Sequence, residues 1–80
     1  MEYYLYIIKS LAIKRFYIGI TSNLEKRIKE HNAGKTKSAK PYIPWALVYK
    51  EIFPNKTLAR KREIFLKKNY QERSRILSNL

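Results

Sequence analysis

The feature that most constrains the fold is a pair of short β-type runs near the start of the chain. The first extends from Tyr3 to Ile8 and the second from Arg15 to Ile20. Aromatic and β-branched residues fit a pleated sheet, and two such runs separated by a short connection pair as antiparallel neighbours. Alternation in the second run puts Ile18 on one face and Tyr17 on the other. No Asn-Gly or Gly-Gly pair marks the turn, so its type is left open.

A helix is predicted directly after this hairpin. The sequence Ser22-Asn23-Leu24-Glu25 has the pattern of a capping box, in which the Ser22 hydroxyl and the Glu25 carboxylate satisfy backbone N–H groups of the first turn. The helix is expected to end near Ala33, with Gly34 in the left-handed conformation that follows many helices.

The remainder of the chain predicts one strand and two helices. Residues 35–44 form a polar loop, and a strand follows over Trp45 to Phe53. Thr57 is the expected N-cap of a helix that ends near Lys68, and a short helix is expected over Tyr70 to Leu80. The order ββαβαα predicts an α+β fold, with a three-stranded antiparallel sheet packed with helices. We place this as one small domain over residues 1–80.

The charge of the chain points to a polyanionic partner. Lysine and arginine total 18 against 6 acidic residues, so the net charge is +12. Such a field favours nucleic acid, because neutralising phosphates releases condensed counterions. The apolar runs are too short to span a membrane, and no membrane partner is expected. Self-repulsion at this charge favours a monomer.

The side chains that can perform acid, base or metal chemistry are few. The chain has no cysteine and no aspartate, which excludes disulfides, thiolate zinc sites and cysteine nucleophiles and suits the cytoplasm. Arg27 and the only histidine, His31, lie one turn apart beside the apolar stripe of the first predicted helix. Glu63 is a lone carboxylate among basic residues. An enzyme built on this chain must combine these groups with tyrosines such as Tyr17.

The same residues resemble the GIY-YIG nuclease family. Tyr4-Leu5-Tyr6 is similar to the first signature of that family, and Tyr17-Ile18-Gly19 is similar to the second. Tyr6 and Tyr17 are eleven residues apart. The similarity continues at three further site positions, namely Arg27, His31 and Glu63. It covers most of the chain and is greatest to the small standalone bacterial members.

Two positions depart from the family pattern. Tyr4 replaces the glycine of the first signature, as in the small members. Downstream of Glu63 there is no clear counterpart of the asparagine that completes the site in repair and homing nucleases, and Asn69 and Asn79 are the candidates.

The resemblance implies a role for each site residue. Tyr17 would be the general base for the attacking water, and Tyr6 would orient that water. Arg27 and His31 would bind or protonate phosphate oxygens. Glu63 would hold one Mg²⁺ or Mn²⁺ ion, because a two-metal site would require a cluster of acids.

Spacing alone also allows structural roles for all of these residues. The tyrosines suit a sheet, and a histidine suits the C-terminal end of a helix. Arg27 can lie over the core or pair with a glutamate. Glu63 can pair with Arg60 or Lys67 on its own helix.

Six basic residues other than Arg27 are expected to contact phosphates. They are Lys35, Lys37, Lys40, Arg60, Arg62 and Lys67. The three lysines fit a phosphate-contacting loop, although a solvated loop has the same composition. Trp45 is most simply a core residue, with base stacking as the alternative.

These observations together predict a small cytoplasmic, metal-dependent endonuclease that hydrolyses phosphodiester bonds in DNA with weak sequence preference. Branched, nicked and single-stranded DNA are all open as substrates, and so is RNA. The alternative is a noncatalytic nucleic-acid-binding module that uses the same basic surface. A third interpretation is a protein that docks on a ribonucleoprotein assembly.

Overall fold

A computed structural model describes residues 1–79, and the predicted α+β architecture is confirmed in it. The strands are β1 (Tyr3–Ser10), β2 (Phe16–Thr21) and β3 (Trp45–Phe53). The α-helices are α1 (Leu24–Asn32), α2 (Lys56–Lys68) and α3 (Tyr70–Ser78), and one 3-10 turn covers Lys40–Tyr42. The predicted end of the last helix, Leu80, lies outside the described residues.

The central strand of the sheet is β1. The strand order is β2-β1-β3, and both pairings are antiparallel. Because β1 has a neighbour on each edge and a layer on each face, its residues from Leu5 to Ile8 are all buried. Tyr6 lies opposite Gly19 of β2 and opposite Lys50 of β3. This register puts Tyr6 and Gly19 on the same face of the sheet.

The sheet is covered on both faces by different elements. The helices α2 and α3 cover a cluster formed by Leu5, Ile7, Ile18, Leu66 and Ile76. The helix α1 and the loop after it cover a second cluster formed by Tyr6, Ile8, Ala39 and Trp45. The predicted alternation in β2 is confirmed, because Ile18 faces the first cluster and Tyr17 packs against the second.

Asparagine side chains cap the helices, and two predicted caps are wrong. The Asn23 side chain accepts a hydrogen bond from Lys26 N, so Asn23 replaces Ser22 as the cap of α1. Thr21 Oγ1 forms hydrogen bonds with both the N–H and the C=O of Asn23, which holds the chain in an extended turn before the helix. Asn55, in place of Thr57, caps α2 by accepting from Leu58 N.

The end of α1 was predicted closely. The helix ends at Asn32, and Gly34 has φ 78°, which is the left-handed region where glycine carries no Cβ penalty. Asn32 fastens this end to the sheet, because its amide accepts from Trp45 N at 2.6 Å and donates to Trp45 O at 3.0 Å. Trp45 is 4% exposed, in agreement with its predicted core position. Residue 31, one position earlier, is therefore held at a fixed place against the sheet.

Within residues 1–79, no helix has the length and apolar character needed to cross a membrane.

Candidate active site

Two tyrosines lie side by side on the face of the sheet that α1 covers. The ring centroids of Tyr6 and Tyr17 are 6.4 Å apart, and the rings are nearly parallel. Tyr6 is 1% exposed, whereas Tyr17, on the edge strand β2, is half-buried. The pair therefore offers one enclosed ring and one that solvent reaches.

The Tyr6 hydroxyl is held by two side chains from α1. It lies 2.9 Å from His31 Nε2, and Arg27 Nε donates to it at 3.4 Å. Residues four apart on a helix project from the same face, so the spacing of Arg27 and His31 lets both reach one atom on the sheet. The Tyr17 ring completes the group, with its centroid 4.8 Å from that of His31. The structure thus brings together Tyr6, Tyr17, Arg27 and His31, which we call the tyrosine cluster.

His31 is a neutral imidazole in this setting. Burial lowers its pKa below the ordinary value, and the nearby charge of Arg27 lowers it further. Its Nδ1 is buried and has no hydrogen-bond partner among residues 1–79. The tautomer of His31 sets the direction of its hydrogen bond with the Tyr6 hydroxyl. With the proton on Nε2, His31 donates to the phenol, and with the proton on Nδ1 it accepts from the phenol.

The same contacts determine how Tyr6 can act. Burial raises the pKa of Tyr6 above its usual value, and the hydrogen bond from Arg27 only partly opposes the shift. The phenol is therefore protonated at neutral pH. Its oxygen accepts a hydrogen bond from Arg27 Nε, and a second hydrogen bond joins it to His31 Nε2, so the phenol is held at a fixed position.

Gly19 makes room for the Tyr6 hydroxyl. A Cβ atom added to Gly19 would lie 2.5 Å from Tyr6 Oη and 2.7 Å from Tyr6 Cζ. Contacts this short are excluded by van der Waals repulsion, so the second signature needs glycine at this position to let the phenol reach its partners.

We expect Gly19→Ala to destabilise the protein by about 1–3 kcal/mol, because the buried Tyr6 ring must shift to admit the methyl group. The free energy of unfolding in urea measures the loss. The same substitution in a Tyr6→Phe background serves as the control, since removing the hydroxyl relieves the shorter of the two contacts. An equal loss in both backgrounds would contradict this account of Gly19.

Glu63, the predicted metal ligand, has a buried carboxylate. Its side chain is 6% exposed and lies on α2, whose buried residues are Ala59, Glu63 and Leu66. Arg60 Nη1 lies 2.7 Å from Oε1, and Lys67 Nζ lies 3.2 Å from Oε2. The negative charge of Glu63 is close enough to the Tyr6 hydroxyl to contribute, as the smallest influence, to its raised pKa.

The tyrosine cluster and Glu63 are neighbours without a direct bond. No hydrogen bond joins Glu63 to Tyr6, Tyr17, Arg27 or His31 within the described part of the chain. No group of three or more His, Asp or Glu side chains suited to a metal occurs among residues 1–79. The donor set is one buried carboxylate with hard oxygen atoms. It fits an ion that takes its remaining ligands from phosphate and water, as Mg²⁺ commonly does.

A cleft with a cationic lining opens beside the tyrosine cluster. Its volume is about 760 Å³, and we call it the basic cleft. Its cationic lining residues are Arg27, Lys56, Arg60 and Lys61, and none of its lining residues is acidic. Arg27 belongs both to the cleft and to the tyrosine cluster, so its guanidinium connects the two.

Two of these cleft residues, Lys56 and Lys61, were not predicted from the sequence. The i, i+4 spacing of Lys56 and Arg60 was a signal for a shared face of α2. The elements α1 and β2 lie across from this face. Their position depends on the packing of distant elements, which cannot be predicted from the spacing.

The other predicted basic residues are distributed over the surface. Lys35, Lys37 and Lys40 are exposed in the loop after α1, and the basic cleft does not include them. Lys67 lines a smaller cavity of about 330 Å³ that it shares with Tyr17.

Arg62 is turned toward the opposite side of α2. Its guanidinium forms two hydrogen bonds with Glu51 of β3, at 3.0 and 3.1 Å, and lies 3.6 Å from Glu72 of α3. The hydrogen bond to Glu51 is the main reason that the pKa of Arg62 is raised. Arg62 therefore ties α2 to β3 and α3, apart from the tyrosine cluster.

The two candidate asparagines have different positions. Asn69 caps α3, and its side chain accepts a hydrogen bond from Glu72 N. Asn79 follows the end of α3 and is exposed. The amide oxygen of Asn69 is therefore engaged in capping α3.

Comparisons with known proteins show the family to which the chain is similar. A family model described as the GIY-YIG catalytic domain matches residues 2–76. A UPF0213 protein of Staphylococcus haemolyticus is 43% identical over 67 residues, which cover 82% of this chain and 80% of that protein. A UPF0213 protein of Clostridium perfringens is 47% identical over 66 residues, which cover 81% of this chain and 70% of that protein.

A solved structure is similar over nearly the full length of the chain. It is the solution NMR structure of a UPF0213 protein from Bacillus halodurans, with a TM-score of 0.59 and 30% sequence identity. The similarity covers 98% of this chain and 84% of that one.

Proposed function

The chain belongs to the GIY-YIG family, and from this premise we propose that it is a metal-dependent endonuclease that hydrolyses phosphodiester bonds in DNA. The observation that carries the proposal is the buried Tyr6 hydroxyl, 2.9 Å from His31 Nε2 and 3.4 Å from Arg27 Nε, beside Tyr17 and next to the basic cleft. Contacts to phosphates carry no sequence information, so we expect weak sequence preference. We propose that the protein acts as a monomer in the cytoplasm.

Tyr17 and Tyr6 have different tasks in this proposal. Hydrolysis requires that a water molecule lose a proton as it attacks the phosphorus. Tyr17 is the general base, because its half-buried ring lies where solvent reaches the cluster. Burial raises the pKa of Tyr6 and keeps the phenol protonated, and in this proposal its hydroxyl orients the attacking water.

Arg27 and His31 support the phosphate. Arg27 is permanently charged and lines the basic cleft, so its remaining N–H groups can donate to the non-bridging phosphate oxygens as negative charge develops. His31 is fully buried, so it acts on the phosphate through Tyr6 by holding the phenol in place.

Glu63 is the residue that would hold Mg²⁺ or Mn²⁺. When bound, such an ion stabilises the charge on the departing 3′ oxygen. The chain contributes one hard carboxylate in a buried position, close to the cationic residues that meet the phosphates. The remaining ligands would be phosphate oxygens and water.

The test is incubation of the purified protein with DNA and RNA of single-stranded, duplex, nicked and branched structure. We expect metal-dependent cutting of at least one DNA structure with Mg²⁺ or Mn²⁺, and none when the ions are chelated. Cutting that persists in chelator would remove the metal from the proposal. Cutting of RNA alone would transfer the proposal from DNA to RNA.

Binding to nucleic acid should depend steeply on salt. The basic cleft carries four cationic residues, so the slope of log K against log salt is expected near −3 to −4, and affinity should fall roughly 100-fold for an about fourfold rise in salt. Fluorescence anisotropy of a labelled oligonucleotide measures the slope. Lys56→Gln should reduce its magnitude by about 1, because one phosphate contact is lost.

The matched comparison for this prediction is Lys37→Gln, which removes the same charge from the exposed loop after α1. If Lys37→Gln changes the salt slope more than Lys56→Gln does, the phosphates contact the loop and not the basic cleft.

A noncatalytic nucleic-acid-binding module is the second candidate. It is favoured by one observation, that both oxygens of Glu63 already have cationic partners. This candidate predicts salt-sensitive binding without metal-dependent cutting of any substrate, and binding that Tyr17→Phe leaves unchanged.

A further inference from the structure

We infer that Arg60 and Lys67 keep the Glu63 carboxylate closed to divalent ions until nucleic acid binds, so that nucleic acid and metal bind cooperatively. The inference rests on the proposed function, in which Glu63 is the metal ligand. It assigns Arg60 and Lys67 a positioning role that neither the family nor the sequence spacing supplies.

The contacts of Glu63 in the free protein carry the argument. Oε1 is 2.7 Å from Arg60 Nη1, and Oε2 is 3.2 Å from Lys67 Nζ. The carboxylate is 6% exposed, whereas the Arg60 and Lys67 side chains are 61% and 53% exposed. The two cationic groups therefore lie between the carboxylate and solvent.

This arrangement makes metal binding to the free protein unfavourable. An ion that coordinates either oxygen must displace a cation that already neutralises it, and the displaced cations still repel the ion at short range. Because residues 1–79 contain no group of three or more His, Asp or Glu side chains suited to a metal, no such cluster supplies the charge needed to overcome this competition. We expect free protein to bind Mn²⁺ weakly.

Nucleic acid removes the competition, because Arg60 and Lys67 both face surfaces where phosphates would lie. Arg60 lines the basic cleft with Arg27, and Lys67 lines the smaller cavity with Tyr17. A backbone that passes Glu63 from one cavity to the other meets both cations. Their exposed groups can rotate onto phosphate oxygens at little cost, which frees the carboxylate and supplies the missing metal ligands.

Cooperativity of this kind is reciprocal. If nucleic acid increases the affinity for the ion by some factor, the ion increases the affinity for nucleic acid by the same factor, and such factors are commonly about 5- to 150-fold. Divalent ions by themselves weaken electrostatic binding, because they compete for the phosphates. A tightening of binding by Mn²⁺ therefore indicates an ion held jointly by protein and nucleic acid, and the variants of Arg60 and Lys67 test whether these two residues cause the cooperativity.

The first experiment measures Mn²⁺ binding to the free protein by electron paramagnetic resonance. Arg60→Gln and Lys67→Gln should each tighten Mn²⁺ binding about tenfold, within the usual range of such couplings. Each single variant leaves Glu63 with one partner, so the fold is kept, and circular dichroism checks this. Lys68→Gln is the matched control, because it removes the same charge from an exposed lysine on the same helix.

The second experiment measures the affinity for a labelled DNA duplex with and without Mn²⁺, with the duplex shown to be intact on a gel. Wild-type protein should bind about tenfold more tightly with Mn²⁺, and Glu63→Gln should lose this gain. In Arg60→Gln and Lys67→Gln the gain should be smaller, because the carboxylate is already partly open.

The outcomes separate this inference from the proposed function. If Arg60→Gln and Lys67→Gln bind Mn²⁺ no better than Lys68→Gln, while Glu63→Gln still abolishes the Mn²⁺ effect on DNA binding, the role given to Arg60 and Lys67 is wrong and the metal site stands. If Glu63→Gln leaves the Mn²⁺ response unchanged, both the metal assignment and the coupling are wrong.

Discussion

Tyr17→Phe should slow phosphodiester cleavage by about 100-fold to 10,000-fold, which is the usual contribution of a positioned general base. The substitution removes only the hydroxyl. The ring contacts with His31, at 4.8 Å between centroids, and with Trp45, at 6.3 Å, remain, so stability should change little. Initial rates of nicking with Mg²⁺, measured on the substrate that wild-type protein cuts, give the size of the effect.

Tyr70→Phe is the matched control, because Tyr70 is 71% exposed on α3 and its hydroxyl is outside the tyrosine cluster. Its rate should equal that of wild type. Tyr6→Phe should also slow cleavage, since it removes the group that orients the water. If Tyr17→Phe cleaves at the normal rate and Tyr6→Phe cleaves far more slowly, Tyr6 is the general base and Tyr17 is not.

Glu63→Gln should reduce metal-dependent cleavage at least about 100-fold, because a bound ion contributes several kcal/mol to transition-state stabilisation and each 1.36 kcal/mol is about tenfold in rate. The amide has the same shape, and its one carbonyl oxygen accepts a hydrogen bond from either Arg60 or Lys67, which bond different oxygens of the carboxylate. Removing a negative charge between two cations should leave DNA binding in chelator as strong as in wild type, or stronger. Nicking assays and anisotropy on the same preparation separate the two effects.

Glu25→Gln makes the same charge change at an exposed position on α1, where the carboxylate pairs with Lys29 at 3.2 Å. Cleavage should be unaffected there. Retained cutting in Glu63→Gln would show that another residue holds the ion, and loss of both cutting and binding would point to a structural role for Glu63.

Local patterns in the sequence were sufficient for the secondary structure. The bounds of β3 were predicted in full, and those of β1, β2 and α2 to within two residues, because their signals are alternation, β-branching and apolar periodicity within each segment. The positive φ of Gly34 followed from its position after a helix. The caps were harder, since Ser22 and Asn23 are both good capping residues, and the hydrogen bonds of Thr21 decide between them.

Part of the site could be predicted from the sequence for the same reason. A four-residue spacing on a helix is local, so Arg27 and His31 were paired correctly from the sequence. That both would meet the Tyr6 hydroxyl is not local, because the hydrogen bonds join residues separated by 21 and 25 positions. The close approach of Gly19 to Tyr6 likewise depends on the strand register.

The sequence by itself determined the elements, their order, the strong positive charge and the small set of groups available for chemistry, because each of these follows from residue type and short-range spacing. Only the tertiary structure decided what those groups touch. It buried His31, brought the Tyr6 hydroxyl against it, covered Glu63 with Arg60 and Lys67, and turned Arg62 toward Glu51. The physical reason is that hydrogen bonding, burial and charge pairing act over a few ångströms, and the packing of distant segments sets those distances.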